Sequence, residues 1–125
     1  MKDQEIYSAI AQILYNESPT IEDDTSLLFR VGKGFNDITL WSGKYLTKDG
    51  NFGLSRDGLR EVEKLIHDLK GYFQSNGHGE WNVIHFILKA GGNSFDAKFD
   101  NNLSLDNGSL PFWKYSFQFR EQGYE

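Results

Sequence analysis

The chain has 125 residues, a formal net charge of −5 and no cysteine. This length predicts a single domain over residues 1–125, and the lack of cysteine excludes disulfides, thiolate metal sites and cysteine nucleophiles. The negative charge disfavours direct binding to nucleic acid or to an anionic membrane, because both repel an acidic surface. No apolar run has the character of a signal peptide or a membrane span, so a cytoplasmic location is the default expectation.

The front of the chain is predicted to form a helix followed by a meander of antiparallel strands. Apolar residues at helical spacing, with acidic residues in the first turn, predict a helix over Asp3–Tyr15. Alternating apolar residues predict strands over Thr25–Val31 and Phe35–Trp41, separated by a glycine turn. A third short strand is expected over Lys44–Thr47.

The middle of the chain is predicted to be a helix and a β-hairpin. Leu59–Phe73 carries the clearest helical pattern, and Ser55 is placed to cap that helix. Trp81–Lys89 and Phe95–Asp100, joined by a turn at Gly91-Gly92-Asn93, predict the two strands of the hairpin. The first of these strands is apolar on both faces, which is typical of a central strand covered by a helix.

The last part of the chain is predicted to be a loop over Asn101–Pro111 and a strand over Phe112–Arg120, in which aromatic and polar residues alternate. The order α-β-β-(β)-α-β-β-β then predicts an α+β fold. Its core is a single antiparallel sheet of five to six strands, with two amphipathic helices packed on one face. The other face is expected to be partly solvated, because it carries the charged residues of the last two strands.

The sequence contains no pattern that predicts an enzyme, a metal site or a cofactor site. Its histidines, His67, His78 and His85, fall on a helix, a glycine turn and a strand, without the spacing of metal ligands. His85 is expected to be partly buried against aromatic side chains, and His78 to be a solvent-exposed loop residue. The pair Asp96 and Asp100 lies on one strand face with Lys98 between them, which is typical of a solvated surface. No phosphate loop, nucleophile elbow or dinucleotide fingerprint is present.

Several segments follow one another in a recognisable order. They are Glu5–Ala11 with the following Pro19, the helix Leu59–Phe73, Glu80-Trp81 and the strand that ends at Leu88, then Gly92, Phe95–Asp100 and Trp113-Lys114-Tyr115. These segments span almost the whole chain, and in this order they resemble the YezG-like family of small bacterial antitoxin or immunity proteins.

This resemblance implies binding rather than catalysis. Family members are thought to neutralise a cognate toxin, often a nuclease, and an acidic inhibitor is steered electrostatically toward a basic nuclease cleft that it then occludes. On this hypothesis a few exposed aromatic residues and the surrounding acidic residues bind the toxin. The candidates are Glu22, Asp23, Asp24, Asp37, Trp41, Tyr45, Asp96, Asp100 and Asp106.

Two other hypotheses stay open from the sequence. The chain is alternatively a small cytoplasmic enzyme or ligand-binding domain with a pocket between sheet and helices, for which His85, Tyr115 and Glu80 are the first residues to test. A third possibility is a housekeeping scaffold with an obligate homodimer interface.

Overall fold

The structure is a computed structural model that describes residues 3–17, 24–32, 34–42, 45–46 and 54–122, with positions 42, 45–46 and 119–122 described by their backbone alone. The chain forms an α+β fold built on an antiparallel sheet. Its elements are α1 (Asp3–Glu17), β1 (Thr25–Val31), β2 (Asn36–Ser42), β3 (Tyr45–Leu46), α2 (Arg56–Ser75), β4 (Val83–Leu88), β5 (Phe95–Asp100), α3 (Leu103–Asp106) and α4 (Phe112–Gln122).

The sheet has the strand order β3-β2-β1-β4-β5, and every neighbouring pair is antiparallel. β1 and β4 occupy the middle, and all six residues of β4 are buried, which confirms the central position predicted for this strand. Two-residue β3 and six-residue β5 form the edges. No helix within the described ranges is both long and apolar enough to cross a membrane.

α1 and α2 pack on one face of the sheet and form the main core with it, which confirms the predicted pair of amphipathic helices. Ser55 caps α2 as predicted, because its hydroxyl accepts a hydrogen bond from the Gly58 N–H at 3.0 Å. The carboxylate of Glu17 accepts hydrogen bonds from the Ser55 N–H at 2.5 Å and from its hydroxyl at 3.1 Å. The Glu17 carboxylate lies directly against Gly58, so a larger residue at position 58 would displace the Glu17 side chain from its contacts with Ser55.

The final segment differs from its prediction, because α4 is a helix where a strand was expected over Phe112–Arg120. The aromatic residues at positions 112, 115 and 119 recur at helical spacing as well as alternating with polar ones, so a period of two does not decide the structure. The first turn closes when the Tyr115 N–H donates to the Pro111 carbonyl at 3.1 Å. The loop predicted before it contains α3, which Asn102 caps.

α3 and α4 cover part of the second sheet face, which was expected to be partly solvated. A smaller second core forms there, and its buried members are Leu28, Trp41, Val83, Leu105 and Tyr115. The expected solvated surface persists on β5, where Asp96, Lys98 and Asp100 are exposed as predicted.

Candidate partner-binding groove

A groove with a volume of about 980 Å³ opens at the end of the sheet where β1 ends and β4 begins. Three segments that are distant in sequence line it, within residues 30–37, 70–82 and 101–113. The first is the β1–β2 turn, the second is the passage from α2 into β4, and the third contains α3 and the start of α4.

Arg30 is the buried centre of one wall of the groove. Its guanidinium donates to the carboxylate of Asp37 at 2.8 Å and to the Leu105 carbonyl at 2.9 Å, and it lies 3.5 Å from the carboxylate of Asp106. The ring of Phe35 lies 5.1 Å from the guanidinium carbon, within range of a cation–π contact. Since Arg30 is only 6% exposed, these contacts compensate a charge that has left water. They also tie α3 to the sheet.

Asn82, the residue directly before β4, fixes the start of α3. Its side-chain nitrogen donates to the Asn102 carbonyl at 2.7 Å, and its side-chain oxygen accepts from the Asn102 N–H at 2.8 Å. Asn102 in turn caps α3 by accepting from the Ser104 N–H at 3.0 Å and the Leu105 N–H at 3.3 Å. Arg30 of β1 and Asn82 before β4 therefore hold this wall of the groove without a bound partner.

The opposite wall comes from α2 and the entry to β4. The ammonium group of Lys70 donates to the Trp81 carbonyl and lies 5.0 Å from the centroid of the Trp81 ring. Trp81 is 3% exposed and belongs to the main core, so Lys70 is anchored to a rigid support. Glu80 precedes Trp81 and projects an exposed carboxylate at the groove.

Exposed apolar side chains converge on this groove. Phe35 is 57% exposed, Leu103 67% and Trp113 70%, and all three line it. Only two other large apolar side chains of the described residues are comparably exposed, Tyr15 and Phe117, and neither lines the groove. A cluster of exposed apolar residues bordered by polar ones is typical of a binding surface.

Among the residues that the structure describes, carboxylates outnumber cations along the lining of the groove. The carboxylates are Asp37, Glu80 and Asp106, against the cations Arg30 and Lys70. Both cations are engaged in the contacts described above, which leaves Glu80 and the exposed side of Asp106 to face an approaching partner.

The structure brings two of the predicted acidic residues, Asp37 and Asp106, into the groove, and Asp100 lies beside it. Asp100 accepts a hydrogen bond from the Tyr115 hydroxyl at 2.7 Å. Burial and then this bond raise the pKa of Tyr115 above its ordinary value, so the phenol stays protonated.

Other predicted residues lie elsewhere. Asp24 and Asp96 are at the opposite end of the sheet, where their carboxylates lie 3.7 Å and 3.4 Å from the Lys89 ammonium. Glu22 and Asp23 lie outside the described residues, as does the side chain of Tyr45. The predicted acidic set therefore does not form one continuous patch.

The prediction that Trp41 is an exposed aromatic residue is wrong. Its side chain is fully buried in the second core, with its ring 5.5 Å from that of His85. The expectation assumed an uncovered second face, and α3 and α4 cover it at this position.

The histidines have no common site. His67 and His78 are exposed, which confirms the prediction for His78, whereas His85 is 2% exposed and packs against Trp41 as expected. Among the described residues no group of three or more potential ligands is placed to hold a metal ion.

Buried His85 makes the stability of the protein depend on pH. Burial, and then the charge of Lys98, lower its pKa from 6.5 to about 4. Below pH 6.5 the imidazole of His85 is protonated in the unfolded chain but stays neutral in the folded chain. The free energy of unfolding is therefore highest above pH 6.5 and falls as the pH approaches 4. We expect a loss of about 2 kcal/mol in the free energy of unfolding between about pH 7.5 and about pH 5.

Urea denaturation across this pH range measures the effect. His85→Leu should remove most of the slope, whereas His67→Gln, which changes an exposed histidine on α2, should retain it. An unchanged slope in His85→Leu would assign the pH dependence to other groups.

The exposed apolar residues of the groove are absent from the sequence-based candidates. Pro111 before Phe112 is a helix-start signal that would have placed Trp113 on a helix, but no signal in the sequence joins Phe35, Leu103 and Trp113.

No protein-family model matches this sequence, and no curated protein matches it.

Proposed function

We propose that this chain is an antitoxin or immunity protein that binds and neutralises a cognate bacterial toxin through the groove at the end of its sheet. The observation that carries this proposal is the convergence of Phe35, Leu103 and Trp113 on one groove with an acidic border. Exposed apolar side chains with an acidic border support binding to another protein.

The energetics of protein interfaces favour these residues as anchors. Most binding energy comes from a few large side chains, tryptophan foremost, that enter pockets of the partner and lose their contact with water. Arg30 and Asn82 hold the wall that carries Leu103 in place, so the surface loses little conformational entropy on binding.

The proposed toxin is a nuclease whose basic cleft the groove region occludes. The net charge of −5 attracts a basic surface at long range, and Glu80 and Asp106 supply acidic groups at the contact. The sequence resemblance to the YezG-like family supports this class of partner.

Trp113→Ala is expected to weaken binding to the toxin by at least about 2 kcal/mol, a factor of roughly 30 in Kd. The partner to use is the product of the adjacent gene, and isothermal titration measures the affinity. Because Trp41 and Trp81 are already buried, a blue shift of tryptophan emission on complex formation would report on Trp113.

Phe117→Ala is the matched control, because Phe117 is an exposed aromatic residue one turn further along α4 and does not line the groove. Its affinity should stay within about threefold of the unmodified chain. Equal losses of affinity in Trp113→Ala and Phe117→Ala would show that the groove is not the binding surface. If this chain and the product of the adjacent gene do not co-elute, the proposal that this product is the cognate toxin is wrong.

The alternative is an enzyme or ligand-binding domain, and the groove volume favours it because many small-molecule sites have that size. His85 and Tyr115, the residues first named for such a site, are buried and do not line the groove. Glu80 and Asp106 would then supply the polar contacts. Under this alternative Trp113→Ala weakens the binding of a small molecule and does not change the affinity for any toxin.

A further inference from the structure

β5 forms one edge of the sheet. It pairs with β4, and no strand of the described residues lies along its other side. An edge strand presents a row of backbone N–H and C=O groups that are able to pair with a strand of another chain.

The hydrogen bonds between β4 and β5 show which backbone groups face outward. The Lys89 N–H donates to the Ser94 carbonyl at 2.9 Å, at the start of a register that continues unbroken to Asp100. In an antiparallel pair, successive residues alternate between facing the partner strand and facing away from it. The backbone groups of positions 94, 96, 98 and 100 therefore face β4, and those of Phe95, Ala97 and Phe99 face the open edge.

We infer that two copies of this chain pair through β5 as an antiparallel, twofold-symmetric dimer centred on Ala97. In this register Ala97 of one copy lies opposite Ala97 of the other, and Phe95 lies opposite Phe99. Every outward-facing residue then meets an outward-facing residue, so N–H to C=O hydrogen bonds form in both directions. The interface is self-complementary, as a twofold dimer requires.

Charge selects this register. Asp96 and Lys98 are exposed on the same face of β5, and the Ala97 centre places Asp96 of each copy directly opposite Lys98 of the other. Opposite charges facing each other across strands stabilise a sheet, and like charges destabilise it. The same register pairs β5 over its whole length, whereas a centre at Phe99 would pair only its last part.

The dimer edge and the groove are separate surfaces. No residue of β5 lines the groove, so a β5 dimer presents two grooves and its formation does not depend on the proposed function. Substitutions in β5 should therefore change the dimer Kd, and substitutions in the groove should change the affinity for the toxin.

Sedimentation equilibrium over roughly 10 to 500 µM tests the dimer, a range chosen because a one-strand interface is small and its affinity modest. The chain is expected to show a monomer–dimer equilibrium. Asp96→Lys and Lys98→Asp should each raise the dimer Kd at least about tenfold, because each places like charges opposite one another at both symmetry-related positions. The double variant Asp96→Lys/Lys98→Asp restores both attractions and should return the Kd to within about threefold.

Ala97→Pro removes an N–H that faces the open edge and takes no part in the β4–β5 pair. Proline is tolerated at such positions of edge strands, so this variant should be monomeric while keeping its circular dichroism spectrum. A monomer at every concentration in the unmodified chain would overturn the inference, as would a double variant that dimerises no better than the single ones. These charge variants decide the question if Ala97→Pro fails to fold.

Discussion

Replacing Arg30 with alanine is expected to lower the free energy of unfolding by about 3 to 5 kcal/mol. The guanidinium is 6% exposed and makes its hydrogen bonds to Asp37 and to the Leu105 carbonyl inside the protein. Its removal leaves a partly buried carboxylate without its cation and a buried carbonyl without this donor, and both costs add to the lost packing. Urea denaturation at neutral pH, followed by circular dichroism, measures the change.

Arg60→Ala is the control, because Arg60 is an exposed arginine on α2 and its loss should change stability by no more than about 0.5 kcal/mol. Hydrogen exchange adds a local measurement, since loss of Arg30 should reduce protection in α3 more than in α1. Equal, small effects of the two substitutions would show that the buried ion pairs of Arg30 contribute no net stability.

The elements that the sequence predicts correctly are those with one dominant period. The apolar stripe of α2 and its cap at Ser55 have no competing interpretation, and the same holds for the all-apolar β4 and the strict alternation of β5. In these segments local propensity and burial favour the same structure, so tertiary contacts confirm what the pattern indicates.

The segment at positions 112–120 fits both the period of a strand and the period of a helix. A wrong choice between the two also makes the prediction for other residues wrong. A strand at positions 112–120 would leave the second sheet face open, and Trp41 would then be exposed. As a helix, the same residues bring Tyr115 onto that face and bury Trp41. A single ambiguous segment therefore decides the predicted role of a residue some 70 positions away.

The groove could not be predicted from the periodicity of the sequence, for a different reason. Its walls combine three segments that meet only after the sheet, α3 and α4 have assembled, and each exposed apolar residue looks like a core residue in its own segment. Asp37 and Asp106 were predicted because acidity is visible residue by residue. Their shared contact with Arg30 depends on strand register and on the position of α3.

Trp41→Ala is expected to destabilise the protein by about 3 to 5 kcal/mol, the range for truncating a large aromatic residue in a core. The side chain is fully buried against Leu28, Val83 and the other residues of the second core. This core is small, so the surrounding residues have few ways to close the cavity that the indole leaves. Thermal and urea denaturation measure the loss.

Trp113→Ala removes the same side chain from a position that is 70% exposed, and its effect on stability should stay within about 0.5 kcal/mol. Trp41, which the sequence analysis named as a binding residue, is therefore expected to affect stability. Trp113 is expected to affect affinity for the partner instead. A Trp41→Ala protein of undiminished stability that fails to bind would contradict the burial of Trp41 and return it to the binding surface. A large loss of stability in Trp113→Ala would instead place α4 more deeply in the core than the exposure of its first turn indicates.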